Sequence, residues 1–238
     1  MPIRNIGLDH WQSIIDDDER AGLSKSSIDK DAILISALSR FALERDWIMK
    51  DYAQFIKLPS LEAKHEKGAF TRIEVEKLSR MAADGVPGAD AALVLCYTGF
   101  RINEFLSLTR FSYDEKEKTL TGGSKTAAGK NRVVPIHPHI QPYINRWLSE
   151  GGERLYSQAG KAVAYYRYMQ LFQALMQALG KSQATPHWCR HTFASLLHAG
   201  GAAELDVKRL MGHSNKDVTE HYTHLTLDQL RKAVLCIA

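Results

Sequence analysis

Ala91-Ala92-Leu93-Val94-Leu95-Cys96-Tyr97 is apolar on nearly all sides. A helix without a polar face belongs in the middle of a core. The run is far shorter than the roughly 20 apolar residues a bilayer crossing needs. The rest of the chain must therefore wrap around it, and Cys96 reads most simply as a core residue. The run passes directly into Thr98-Gly99-Phe100-Arg101, so an arginine emerges at the end of a buried helix. Such a residue either snorkels to water or is held for a purpose.

Helical patterning surrounds this centre. Upstream, Trp11, Ile14 and Ile15 mark a helix from about Leu8 to Gly22. Its acidic run Asp16-Asp17-Asp18-Glu19 reads as a solvated face, not a metal site. Ser24 can cap a second helix. There Ile28, Ile35, Leu38, Phe41 and Ala42 follow helical spacing to about Trp47. The polar stretch from Leu58 to Gly68 reads as a linker. It divides a short helical domain, 1–68, from a larger one, 69–238. Thr71-Arg72-Ile73-Glu74 has the form of a capping box opening a helix to about Met81, and Gly85-Val86-Pro87-Gly88 reads as a turn. Short strands are expected near Phe111–Tyr113, Thr119–Thr121 and Arg132–Ile136. Helices are expected near Ile140–Leu148, Val163–Leu179, Trp188–His198, Leu205–Met211 and Leu227–Leu235. The expected fold class is mainly α with a small antiparallel β-sheet.

Charge is unevenly placed. The net charge of the 238 residues is +4, yet residues 1–68 carry 10 Lys/Arg against 12 Asp/Glu. Two long stretches, Lys118–Ser149 and Arg154–Ala203, contain no acidic residue at all. Acid-free basic stretches suit contact with a polyanion. Lys130 and Arg132 lie in the first and are candidate contacts for such a polyanion. Cys96, Cys189 and Cys236 are widely spaced and form no C-x-x-C, which favours a reducing cytosol over a disulfide framework. The N-terminus lacks the apolar core of a secretion signal.

Several residues carry chemistry. The Tyr222 phenol is a poor nucleophile near neutral pH unless cations or a base assist it. Ser214-Asn215-Lys216-Asp217 is expected to open a helix between His213 and Tyr222, so that the two border one pocket. Arg101 and Arg190 offer planar forks suited to the oxygens of a phosphodiester. His187 lies three residues before Arg190 and shares its helical face. Lys125, in Gly122-Gly123-Ser124-Lys125-Thr126, sits on a turn from which it could protonate a leaving oxygen, with Lys130 a nearby competitor for the role. In isolation each would read as an ordinary surface or half-buried side chain. His187 and His191 have a zinc-type spacing, but the usual ligand signature is incomplete and Arg190 would repel a cation. No metal is expected.

Together Thr98-Gly99-Phe100-Arg101-Ile102-Asn103-Glu104, Ser124-Lys125-Thr126, His187-x-x-Arg190-His191-Thr192-Phe193 and Leu210-Met211-Gly212-His213 followed by Tyr222 resemble the tyrosine recombinase (phage integrase) family. The resemblance implies a catalytic domain in which Tyr222 attacks the scissile phosphate and forms a 3′-phosphotyrosyl link. Arg101 and Arg190 would stabilise the transition state. Lys125 would protonate the departing 5′ oxygen. His187 would assist proton transfer, His213 would bond to the phosphate, and Glu104 and His191 would support the site. It further implies double-stranded DNA as partner, no cofactor, no membrane, and a homotetramer on DNA with exchange of the C-terminal segment, although the pattern of Leu227, Leu230, Val234 and Leu235 fits docking on its own domain equally. A cytoplasmic setting, in a bacterial nucleoid or a phage-infected host, goes with it. Residues 1–68 resemble only part of the family's helical core-binding domain. The alternatives are a DNA-binding regulatory remnant without strand exchange, and a type IB topoisomerase-like enzyme.

Overall fold

The computed structural model describes residues 1–61, 68–123, 131–212 and 226–237. They divide into two compact units, Met1–Glu66 and Lys67–Ala238.

The first unit is built on two helices, α1 (Leu8–Arg20) and α2 (Lys25–Leu43). Ser24 caps α2 as its sequence implies, accepting from the Ser27 N–H at 3.3 Å. Trp11 and Ile15 of α1 pack with Ile28 and Ile35 of α2 and with Ala53 into a small core. α2 stops short of Trp47, because Asp46 adopts a left-handed conformation with φ 57°. Leu38 and Phe41 lie outside that core, at 43% and 45% exposure. They share the helix with its buried face but turn away from α1.

The second unit opens with Phe70, whose N–H donates to Thr192 Oγ1 at 2.8 Å. α3 (Arg72–Ala83) then starts at a complete capping box. Thr71 Oγ1 accepts from the Glu74 N–H at 3.3 Å, and a Glu74 carboxylate oxygen accepts from the Thr71 N–H at 2.9 Å. α4 (Ala89–Thr98) is buried at every position, as its all-round apolarity demands. Its one charged residue, Asp90, accepts from the Ala91 N–H, from Trp147 Nε1 and from Arg146. A buried carboxylate so partnered does not bear an unmatched desolvation cost.

α4 ends at Gly99, with φ 61°. A Cβ there would also lie 2.4 Å from Phe193 Cδ1. Only glycine supplies both the left-handed turn and the close approach of α8. The chain reverses into α5 (Ile102–Ser107), a helix that apolar periodicity did not disclose, because it is only six residues long.

A three-stranded antiparallel sheet follows, in the order β1 (Tyr113–Asp114), β2 (Thr119–Gly122), β3 (Arg132–Pro135). Its register pairs Leu120 with Val134 and Gly122 with Arg132. Phe111, expected in the first strand, lies instead in a 3-10 turn and is 89% exposed. Next come α6 (Gln141–Ser149), a small hairpin of β4 (Ser157–Gln158) and β5 (Lys161–Ala162), α7 (Tyr165–Ala178), α8 (Pro186–Ala199), α9 (Glu204–Met211) and α10 (Leu227–Leu235). The two-residue strands of that hairpin are too short to show alternation in the sequence. The mainly helical fold with small antiparallel sheets is as expected.

The C-terminal helix bears on subunit exchange. In the single chain α10 packs on its own α9 and β3. Leu230, Ala233, Val234 and Ile237 belong to the main core, and Arg231 bonds to Glu117 of the β1–β2 turn. The apolar face of α10 is already satisfied at home.

Candidate active site

Four charged side chains meet where α4, α5, β3, α8 and α9 come together. Arg101 leaves the end of α4 with an extended backbone, which aims it back over the first turn of α5. Its N–H donates to Glu104 Oε2 at 3.0 Å, and its Nη1 donates to Glu104 Oε1 at 2.9 Å. Glu104 is 4% exposed. Arg190 reaches in from the second turn of α8. Its Nη1 donates to the Gly99 carbonyl at 2.5 Å and its Nη2 to the Met211 carbonyl. Arg190 thus joins the ends of α4 and α9, with two of its five donors fixed by main-chain carbonyls.

The fourth member is Arg132, from the start of β3. Its Nη1 donates to the same Met211 carbonyl at 2.9 Å. Its Nη2 lies 3.4 Å from Glu104 Oε2, an ion-pair contact without hydrogen-bond geometry. Its guanidinium carbon stands 4.3 Å over the centre of the Phe100 ring. Among the described residues the site therefore holds three guanidinium groups and one carboxylate. Burial and the neighbouring Arg190 push the Arg132 pKa down to about 9, with Glu104 opposing. Burial and Arg101 push Arg190 to about 10, again opposed by Glu104. Burial raises the Glu104 carboxyl, but the Arg101 N–H and the charges of Arg132 and Arg101 outweigh it and hold it below its usual range. The cluster is short of negative charge. Its wettest member is Arg101, with a 22% exposed side chain. An anion arriving beside Arg101 would relieve the repulsion and find aligned donors.

His187 lies in the first turn of α8, one turn before Arg190, and is exposed. Its ring centre is 6.0 Å from that of His191. Trp188 turns the other way, packing on Phe70 at 5.7 Å, and Cys189 is fully buried. Among the described residues no three His, Cys, Asp or Glu side chains gather as metal ligands would.

The structure thus unites Arg101, Glu104 and Arg190, which come from motifs nearly ninety residues apart in sequence. Lys125, Lys130, His213 and Tyr222 lie outside the described residues. Arg132, read from sequence as a DNA contact, points inward. A signal for this was present: in Arg132-Val133-Val134-Pro135-Ile136 the period of two places Arg132 on the face of Val134 and Ile136, both buried. The carbonyls of Gly99 and Met211, which anchor the arginines, could not be found from side-chain chemistry.

Fold and site together define a protein that holds paired guanidinium groups ready for an anion on a helical scaffold. Residues 70–228 match the phage integrase family, and the chain belongs to it. A tyrosine recombinase XerC from Shewanella sp. (strain ANA-3) is 27% identical over 248 residues, covering 96% of this chain and 79% of that protein. A tyrosine recombinase XerD from Corynebacterium glutamicum is 27% identical, covering 97% and 82%. The Tn1549 transposon integrase, solved in complex with circular intermediate DNA, is similar over 98% of this chain and 86% of that one, with a TM-score of 0.77 and 26% identity. A lambda integrase dimer bound to a COC′ core site shares the fold, with a TM-score of 0.71 at 15% identity.

Proposed function

We propose that this chain, a site-specific tyrosine recombinase, cuts and rejoins double-stranded DNA through a 3′-phosphotyrosyl intermediate. The convergence of Arg101 and Arg190 on one spot, braced by Glu104, is the observation that carries the proposal. A regulatory remnant would have no need to retain a buried cluster of like charges.

The chemistry follows from charge. The phenolic oxygen of Tyr222 forms a bond to the scissile phosphorus, and the bond from phosphorus to the 5′ oxygen breaks. Negative charge grows on the non-bridging oxygens as the fifth bond forms. Arg101 and the remaining donors of Arg190 stabilise it, and their positions are set before the reaction by carbonyl and carboxylate bonds. His187 assists removal of the phenol proton. Lys125 protonates the 5′ oxygen, and His213 bonds to the phosphate. His191 steadies the first turns of α8, and Lys130 contacts the DNA backbone. Attack by a 5′-hydroxyl of another strand reverses the step and rejoins the DNA. The new ester keeps the energy of the old one, so neither ATP nor a metal is called for.

Residues 1–68 act as a partial core-binding domain and 69–238 as the catalytic domain. Strand exchange takes place in a homotetramer on paired sites, in the cytoplasm. No helix among the described residues is long and apolar enough to cross a membrane.

A nicked suicide duplex, carrying the DNA that flanks this coding sequence, tests the proposal. The protein should form a denaturant-resistant adduct, and Tyr222→Phe should form none while still binding the duplex. An adduct that survives Tyr222→Phe would mean a different nucleophile. Two marked sites, scored for exchanged partners, separate recombination from simple relaxation of supercoils.

A further inference from the structure

We propose that Arg132 is a positioning residue of the recombinase site, which aligns Glu104, Arg190 and the end of α9 for strand cleavage. The inference rests on the function proposed above and assigns a role to a buried side chain that the cleavage chemistry leaves unused.

Three observations carry it. First, Arg132 spends a buried charge in an unfavourable place. It is 6% exposed, and its Nε and Nη2 have no hydrogen-bond partner. A buried donor without a partner is costly, and an apolar residue of similar volume would serve the core at least as well. Its neighbours include two further guanidinium groups, on Arg101 and Arg190, and among the described residues Glu104 is the one carboxylate facing it. Stability alone does not account for an arginine here.

Second, Arg132 and Arg190 share an acceptor. Both donate to the Met211 carbonyl, the last of α9. Arg190 is tied at its other end to the Gly99 carbonyl. Arg132, stacked on Phe100, holds the Met211 carbonyl itself, and so fixes the second anchor on which the orientation of Arg190 depends. Glu104 is similarly held between Arg101 on one side and Arg132 on the other.

Third, the connectivity is suited to alignment. Arg132 begins the strand that follows the segment carrying Lys125. Met211 ends the helix that precedes His213 and Tyr222 by two and eleven positions in sequence. A bond from Arg132 to Met211 therefore ties the entry to one catalytic segment to the exit of another. Misplacement of reacting groups by about an ångström can cost a hundredfold in rate.

The test uses the whole chain with Arg132→Met and Arg132→Lys, on the nicked duplex above. For Arg132→Met the rate of adduct formation should fall about 100-fold. Duplex affinity should stay within about threefold, because the side chain is buried, and the melting temperature should hold or rise, because a buried charge has gone. Arg132→Lys should recover part of the rate at neutral pH. It should lose that recovery as pH rises, since a buried ammonium among cations gives up its proton where a guanidinium does not. If wild-type protein forms adduct and both variants match its rate and pH profile, the inference falls and the proposed function stands. If Arg132→Met fails to fold, Arg132→Lys decides on the same criterion. A rate lost only in proportion to lost stability would show packing and overturn the inference. If wild-type protein forms no adduct, both fall together.

Discussion

Glu104 is the residue on which the cationic cluster turns. It accepts from the Arg101 backbone and side chain and faces Arg132 across 3.4 Å. Its carboxyl is held below the usual range in the folded chain, so folding favours the ionised form. Linkage then sets the sign. The stabilisation is fully present above the ordinary carboxylate pKa and is lost as pH falls through the lowered one. Glu104→Gln should therefore show a deficit in melting temperature at neutral pH, measured by calorimetry, that shrinks on acidification from about pH 6 to pH 3. A deficit independent of pH would mean that Glu104 acts by shape alone. Arg101→Ala should slow adduct formation by roughly 100- to 1000-fold, the cost of a transition-state donor, far more than the loss of its bond to Glu104 takes from stability.

At the scale of elements, α4 and α10 were legible for opposite reasons. α4 is apolar on every side, and a helix of that kind has one place to go. α10 shows one apolar stripe, which could serve its own domain or a neighbour's. In the single chain Leu230, Val234 and Ile237 pack into the core of its own domain. Leu230→Ala should then destabilise the catalytic unit by about 2–3 kcal/mol, as a core truncation does. In chemical denaturation the loss should not change with protein concentration. A midpoint that rises with concentration would point to docking between subunits instead. α5 and the β4–β5 hairpin were not legible, because six residues and paired two-residue strands carry too little periodicity. On α2, helical spacing alone put Leu38 and Phe41 with Ile28 and Ile35, although only the latter two reach the core of that unit.

At the scale of the whole molecule, charge is partitioned along the chain. Residues 69–238 carry 21 Lys/Arg against 15 Asp/Glu, while residues 1–68 have a slight acidic excess. Binding to duplex DNA should therefore weaken steeply with added salt, with log affinity falling linearly in log salt concentration. Residues 1–68 expressed alone, should they fold, are expected to contribute little to that slope. A flat salt dependence in the whole chain would remove phosphate contacts from the account. The chemistry-bearing residue types, the buried central helix, the capping boxes and the basic bias all stood in the sequence, because each depends on neighbours a few positions away. Tertiary structure alone decided that Arg132 turns inward and that Arg190 is fixed by the carbonyls of Gly99 and Met211. Those outcomes depend on which distant surfaces meet, and local periodicity holds no information about that.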